Sequence, residues 1–257
     1  MNALRWVLPV WILVQALVGT ANAETTETAR IVEILDAETL RLGDGRLLRL
    51  AGLNIPRPPG DDPATDTASL AARAKALLTD LAEGREATLT FSASGRDRYG
   101  RMVAQVRLAG PVWLQGELLS AGLARVMSRA DERAMVPEML ALERQARAAR
   151  RGLWGEARYG VREAERAGDG TGGFQIVEGR VLAVDLVRGR AFVNFGSDWR
   201  SDFTVSLQPK VRRRFEQAGL DPLNLEGRRL RVRGWLAYWN GPFIEATHPE
   251  QVELLED

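Results

Sequence analysis

One order of elements occurs twice along this chain: three short strands, a helix, then two more strands. In the first occurrence, residues 30–35 and 38–42 alternate apolar and polar side chains. The Gly43-Asp44-Gly45 turn then leads into residues 46–50, completing a three-stranded meander. A proline-rich loop (Pro56, Pro58, Pro59, Pro63) precedes residues 64–82, which place Leu70, Ala74, Leu77, Leu78 and Leu81 at helical spacing before Gly84. Strands at 86–92 and 102–108 follow, then helices at 114–121 and 137–151, with Gly122 and Gly152 closing them. In the second occurrence, strands at 177–187, 190–195 and 202–207 precede a helix at 209–218. Strands at 228–239 and 243–246 complete it, with Asn240-Gly241 as the turn between them, and a last strand follows at 251–255. Five such strands with helices packed on them read as a small barrel, since closure removes exposed edges.

The predicted fold is therefore mainly β with α: two small barrels of the oligonucleotide-binding kind in series. Residues 167–173 (Ala-Gly-Asp-Gly-Thr-Gly-Gly) read as a glycine-rich flexible linker between a unit at 24–166 and a unit at 174–257. Residues 1–23 combine Arg5, an apolar run from Trp6 to about Val18, and Ala21-Asn-Ala23. That is the pattern of a secretory signal with its cleavage site, and the run is short of the roughly 20 apolar residues needed to span a bilayer. The expectation is an exported protein, periplasmic or secreted, with no stable membrane insertion once the signal is cleaved.

The chain has no cysteine, so disulfides cannot hold this fold and thiolate metal sites are excluded. Its 35 Lys and Arg face 34 Asp and Glu; without residues 1–23, which carry Arg5 and no acid, the net charge is zero. Attraction to a polyanion must then come from local clustering. Lys75 and Lys210 are the only lysines. An arginine-rich chain suits bidentate phosphate contacts, although a coding bias gives the same composition.

Three stretches bring charge together: Leu35-Asp-Ala-Glu-Thr-Leu40, Leu48-Arg-Leu-Ala-Gly-Leu-Asn-Ile-Pro56 and Asp97-Arg-Tyr-Gly-Arg101. They place Arg49, Arg101 and Glu38 on strands and turns of one barrel, a set suited to an anionic phosphodiester. With Gly116-Glu-Leu-Leu-Ser-Ala-Gly-Leu-Ala-Arg-Val126 and Arg151-Gly-Leu-Trp154, these segments form an ordered set that resembles the thermonuclease (staphylococcal nuclease-like) family over residues 30–155. The resemblance implies a barrel with three helices and calcium-dependent cleavage of phosphodiester bonds in DNA or RNA. It assigns Arg49 and Arg101 the role of phosphate-binding catalytic arginines.

It also implies a degraded metal site. Glu38 and Asn54 stand where the family binds calcium through aspartates, so one ligand charge is lost and calcium affinity falls. Arg57 occupies the position of the family's glutamate base and cannot accept a proton from water. Asp61 or Asp62 on the same loop would have to replace it. Arg57 reads equally as a third phosphate contact. Three functions stay open: a secreted metal-dependent endonuclease, a non-catalytic module binding nucleic acid or another polyanion, and an envelope protein using its barrels for protein contacts.

In the second unit, Trp199, in the polar turn Asp198-Trp-Arg200, is the better candidate for stacking on a base. Trp235 and Phe243 are more simply core residues of a strand, and Tyr238 and Trp239 lie nearby. Arg212, Arg213 and Arg214 form one basic cluster; Arg229, Arg231 and Arg233 share a strand face, most simply a solvated one paired with acids. His248 has no partner His or Cys and reads as structural.

Overall fold

The structure, a computed structural model, describes residues 25–56, 66–133, 135–198 and 200–256. The signal segment, Arg57, Asp61, Asp62 and Trp199 lie outside the described residues. The N-terminal half opens with β1 (Thr26–Ile34), β2 (Thr39–Leu42), β3 (Leu47–Leu50) and the two-residue β4 (Leu53–Asn54). Helix α1 (Asp66–Ala82) leads to β5 (Glu86–Arg96), β6 (Met102–Leu108), α2 (Leu114–Ser120), β7 (Arg125–Val126) and α3 (Val136–Ala148). Strands β1, β2, β3, β6 and β5 close a barrel in that order, with β3 and β6 parallel and the other pairs antiparallel.

Period-two alternation explains the barrel interior. Leu40, Leu42, Leu48, Leu50, Leu89 and Val106 are all buried in one core. On α1, Leu70, Ala74, Leu78 and Ala82 recur every four residues and form its buried stripe. Leu77 and Leu81 pack only partly buried beside it. Each fully buried leucine contributes about 1.5–3 kcal/mol relative to exposure. At the ends of α2 and α3, Gly122 (φ 67°) and Gly152 (φ 53°) meet backbone to backbone. A Cβ on Gly122 would lie 2.2 Å from the carbonyl oxygen of Arg151.

The C-terminal half follows β8 (Arg162–Glu163). It holds β9 (Phe174–Arg180), β10 (Ala183–Val187), β11 (Arg190–Asn194), β12 (Thr204–Leu207), α4 (Pro209–Gln217), β13 (Arg229–Trp235), β14 (Ala237–Tyr238), β15 (Pro242–Ala246) and β16 (Val252–Leu255). Two predicted strands are each broken once: 177–187 at Val181 and Leu182, and 228–239 at Leu236. The result is a five-stranded sheet, β10-β11-β12-β15-β14, and a four-stranded sheet, β16-β13-β9-β8, in place of a barrel closed by unbroken pairing. If the broken strands are read as continuous, the pairing order repeats that of the first barrel, including one parallel pair, β12 with β15.

The segment expected to be a flexible linker is built into the structure. Residues Ala164–Gly170 form a 3-10 helix with Ala164, Ala167 and Gly170 buried, and Gly172 N–H donates to the Leu236 carbonyl. Among the described residues, no helix is long and apolar enough to cross a membrane.

The two halves meet through charged groups. Arg233, expected on a solvated strand face, is 1% exposed and donates to both Glu143 carboxylate oxygens (2.9 and 3.0 Å), to Glu253 (2.6 Å) and to the Val126 carbonyl (3.2 Å). Burial lowers its pKa, but Glu143 and Glu253 more than offset this and hold it raised. Arg229 and Arg231 do pair with an acid, Glu178, at 2.8 and 2.6 Å. The difference at Arg233 is what covers it: α3 of the first half brings Glu143 onto that face.

Candidate functional site

Two aspartate-pinned turns form the site. Asp36 Oδ1 accepts from the backbone N–H of Glu38 and Thr39, both at 2.8 Å, which sets the start of β2. Between β5 and β6, Asp97 Oδ1 accepts from the N–H of Tyr99 (2.9 Å) and Arg101 (3.0 Å), and Gly100 takes φ 78° to close the turn. The other oxygen, Asp97 Oδ2, then meets Arg101, accepting from Nε and lying 2.8 Å from both Nε and Nη2. Arg49 Nε lies 3.6 Å from that same oxygen. Despite the opposing effect of burial, the Arg101 side chain and the two backbone N–H groups hold the Asp97 carboxyl below its usual pKa.

The structure thus brings Arg49, Arg101 and Glu38 together as expected. Glu38 lies 3.8 Å from Arg101 Nη1, which donates to Thr39 Oγ1 at 2.8 Å. It also supplies an acid that sequence reasoning missed. Glu132, with its side chain 2% exposed, accepts from Arg49 Nη2 at 2.7 Å and from Gly52 N–H at 3.4 Å. Nothing local marks Glu132, which is 83 residues from Arg49 in sequence. Arg49 and Arg101 thus lie among Glu38, Asp97 and Glu132, and Arg129 lies 3.4 Å from Glu132 and 3.6 Å from Asp131.

Asn54 does not join this group through its amide oxygen. That oxygen accepts from Arg125 Nε (3.2 Å) and Nη2 (2.8 Å). Arg125 lies over the rings of Tyr159 (5.8 Å) and Phe174 (5.1 Å), and burial lowers its pKa to about 10, with Glu143 opposing that shift. An oxygen bracketed by two guanidinium N–H groups is a poor cation ligand. Glu38 is itself beside Arg101, and among the described residues no three His, Asp or Glu side chains converge to hold a metal. Among the described residues, the donors of this cluster do not make up the six to eight oxygens that calcium takes.

Three points of the C-terminal half grip the segment that carries Glu132. Arg233 holds the Val126 carbonyl, His248 Nε2 contacts Ser128 Oγ at 2.7 Å, and Glu250 takes a forked contact from Arg133 at 2.7 to 2.9 Å. His248 is buried, with Nδ1 beside Thr247 Oγ1 at 2.9 Å; burial pushes its pKa down to about 4. This is the structural role expected for it.

A closed five-stranded barrel thus gathers two arginines around one turn aspartate. Residues 47–156 match the family described as Staphylococcal nuclease homologue. The chain is also similar to an uncharacterized endonuclease of Escherichia coli O157:H7, 29% identical over 131 residues, covering 50% of this chain and 77% of that protein. A second uncharacterized endonuclease, from Escherichia coli, is 28% identical with the same coverage.

Proposed function

We propose that this protein is an exported, nuclease-derived module that holds phosphodiesters of nucleic acid through Arg49 and Arg101, without calcium-dependent cleavage. One observation carries the reading: both guanidinium groups border the same oxygen, Asp97 Oδ2. An incoming phosphate oxygen bordered in the same way would receive charge-assisted hydrogen bonds from both. Export rests on the pattern of residues 1–23. Loss of cleavage rests on Arg57 at the position of the base and on Asn54 being engaged by Arg125. Losing a general base costs about 10²- to 10⁴-fold in rate.

The test is a cleavage assay on single-stranded DNA and RNA, with calcium and with chelator. The protein is expected to leave both substrates intact under either condition. Cleavage that requires calcium and stops with chelator would contradict the proposal and restore the endonuclease reading. Arg57→Glu alone is expected to restore no cleavage, because Asn54 is still held by Arg125.

A further inference from the structure

A second site lies on the outer face of the sheet β10-β11-β12-β15-β14. Val193, Val205, Leu207 and Ile244 point into the core, so their neighbours Phe192, Asn194, Thr204, Ser206 and Phe243 face the other way. The solvent side of such a mainly antiparallel sheet is ordinarily polar. Here it forms a cavity of about 390 Å³, walled by Phe192, Phe243, Leu186, Val187 and Trp239. That size is typical of small-molecule sites, roughly 300–1,000 Å³.

Trp239 is 63% exposed and meets Phe243 edge to face, with ring centroids 6.2 Å apart. Trp235, expected in the core, is also 63% exposed, because Leu236 takes the inward position next to it.

Polar groups line one part of the cavity. Thr204 Oγ1 donates to Asn194 Oδ1 (3.0 Å), and Asn194 Nδ2 donates to Asp185 Oδ2 (2.9 Å). Ser206 Oγ, on a residue 2% exposed, has no hydrogen-bond partner among the described residues. A buried hydroxyl without a partner is a costly feature that a ligand can relieve. The lining therefore asks for a flat, largely apolar ring whose edge carries N–H donors for Asp185 and a group to pair with Ser206. Asp185 disfavours a phosphate in the cavity itself.

We propose that this cavity receives a nucleobase of a single-stranded nucleic acid, stacked against Trp239 and Phe243. The proposal rests on the phosphodiester reading above and adds to it a base site distinct from the arginine pair.

The test compares binding of two strands of equal length and charge to the full protein, one bearing bases and one fully abasic. Trp239→Ala, which removes an exposed side chain, is expected to weaken binding of the base-bearing strand about 10-fold and leave the abasic strand unchanged. Arg101→Gln is expected to weaken both equally. If Trp239→Ala affects neither strand, or both alike, the nucleobase site is overturned while the Arg101 result still supports the phosphate grip. If neither strand binds the parent protein, both proposals fall. An apolar peptide that quenches Trp239 fluorescence while the strands do not would likewise overturn the assignment.

Discussion

Asp97 borders two arginines with one oxygen and pins its own turn with the other, so it has both an electrostatic and a conformational role. Arg49 and Arg101 consequently differ as targets for substitution. Arg49→Ala removes the closest partner of the buried Glu132 and is expected to cost about 3 kcal/mol, read from a denaturant midpoint. Arg101→Gln leaves a polar group beside Asp97 and Thr39 and is expected to cost less than about 1.5 kcal/mol. Equal losses would contradict this division. Asn54→Asp would give Arg125, whose pKa burial has lowered to about 10, a carboxylate in place of an amide. It is expected to raise stability by about 1–3 kcal/mol with no gain in calcium affinity. Tighter calcium binding by calorimetry would show that Arg125 does not hold that position.

At the scale of elements, the contact between the ends of α2 and α3 is the least tolerant of change. Gly122→Ala combines a left-handed backbone with a Cβ 2.2 Å from the Arg151 carbonyl oxygen, and neither backbone can yield cheaply. It is expected to lower the melting temperature far more than Gly84→Ala, whose added Cβ meets nothing within 4 Å although its φ is 76°. Most elements were legible from local pattern: β6 spans residues 102–108 as read, and α1 ends at Ala82 as read. Turn chemistry and hydrophobic period are properties of neighbouring residues. What the pattern could not give was distant pairing. Glu132, 83 residues from Arg49, and Glu143, 90 residues from Arg233, look like ordinary surface acids until the chain is folded. Trp235 is different: Leu230, Val232 and Leu236 face the core, so simple alternation already puts Trp235 on the face of Arg229, Arg231 and Arg233 and away from the core.

On the scale of the whole molecule, the charged seam makes the C-terminal half a support for the segment that holds Arg49. Arg233→Met is expected to destabilise by about 3 kcal/mol, because it leaves Glu143 buried without its closest cation, with Arg147 at 3.7 Å as the remaining one. Arg233→Met with Glu143→Gln is expected to recover more than half of that, since Gln still accepts from Val126 N–H. No recovery would mean the arginine matters by itself. The seam also titrates. His248 has a folded pKa of about 4 against an ordinary 6.5, so the unfolded chain takes up a proton that the folded chain refuses. Stability is expected to fall as pH drops from about 6.5 towards 4, and His248→Gln should flatten that slope. An unchanged slope would place the titration elsewhere.

In the proposed function a phosphate grip persists where the metal chemistry does not. Equilibrium binding of labelled single-stranded DNA to the full protein, across a salt series and with either calcium or chelator, tests it most directly. The same affinity is expected with calcium and with chelator. Arg101→Gln is expected to weaken binding and lower the salt slope by about 0.7, the contribution of one phosphate contact to a single strand. Binding that appears only with calcium, or that is indifferent to Arg101→Gln, would contradict it.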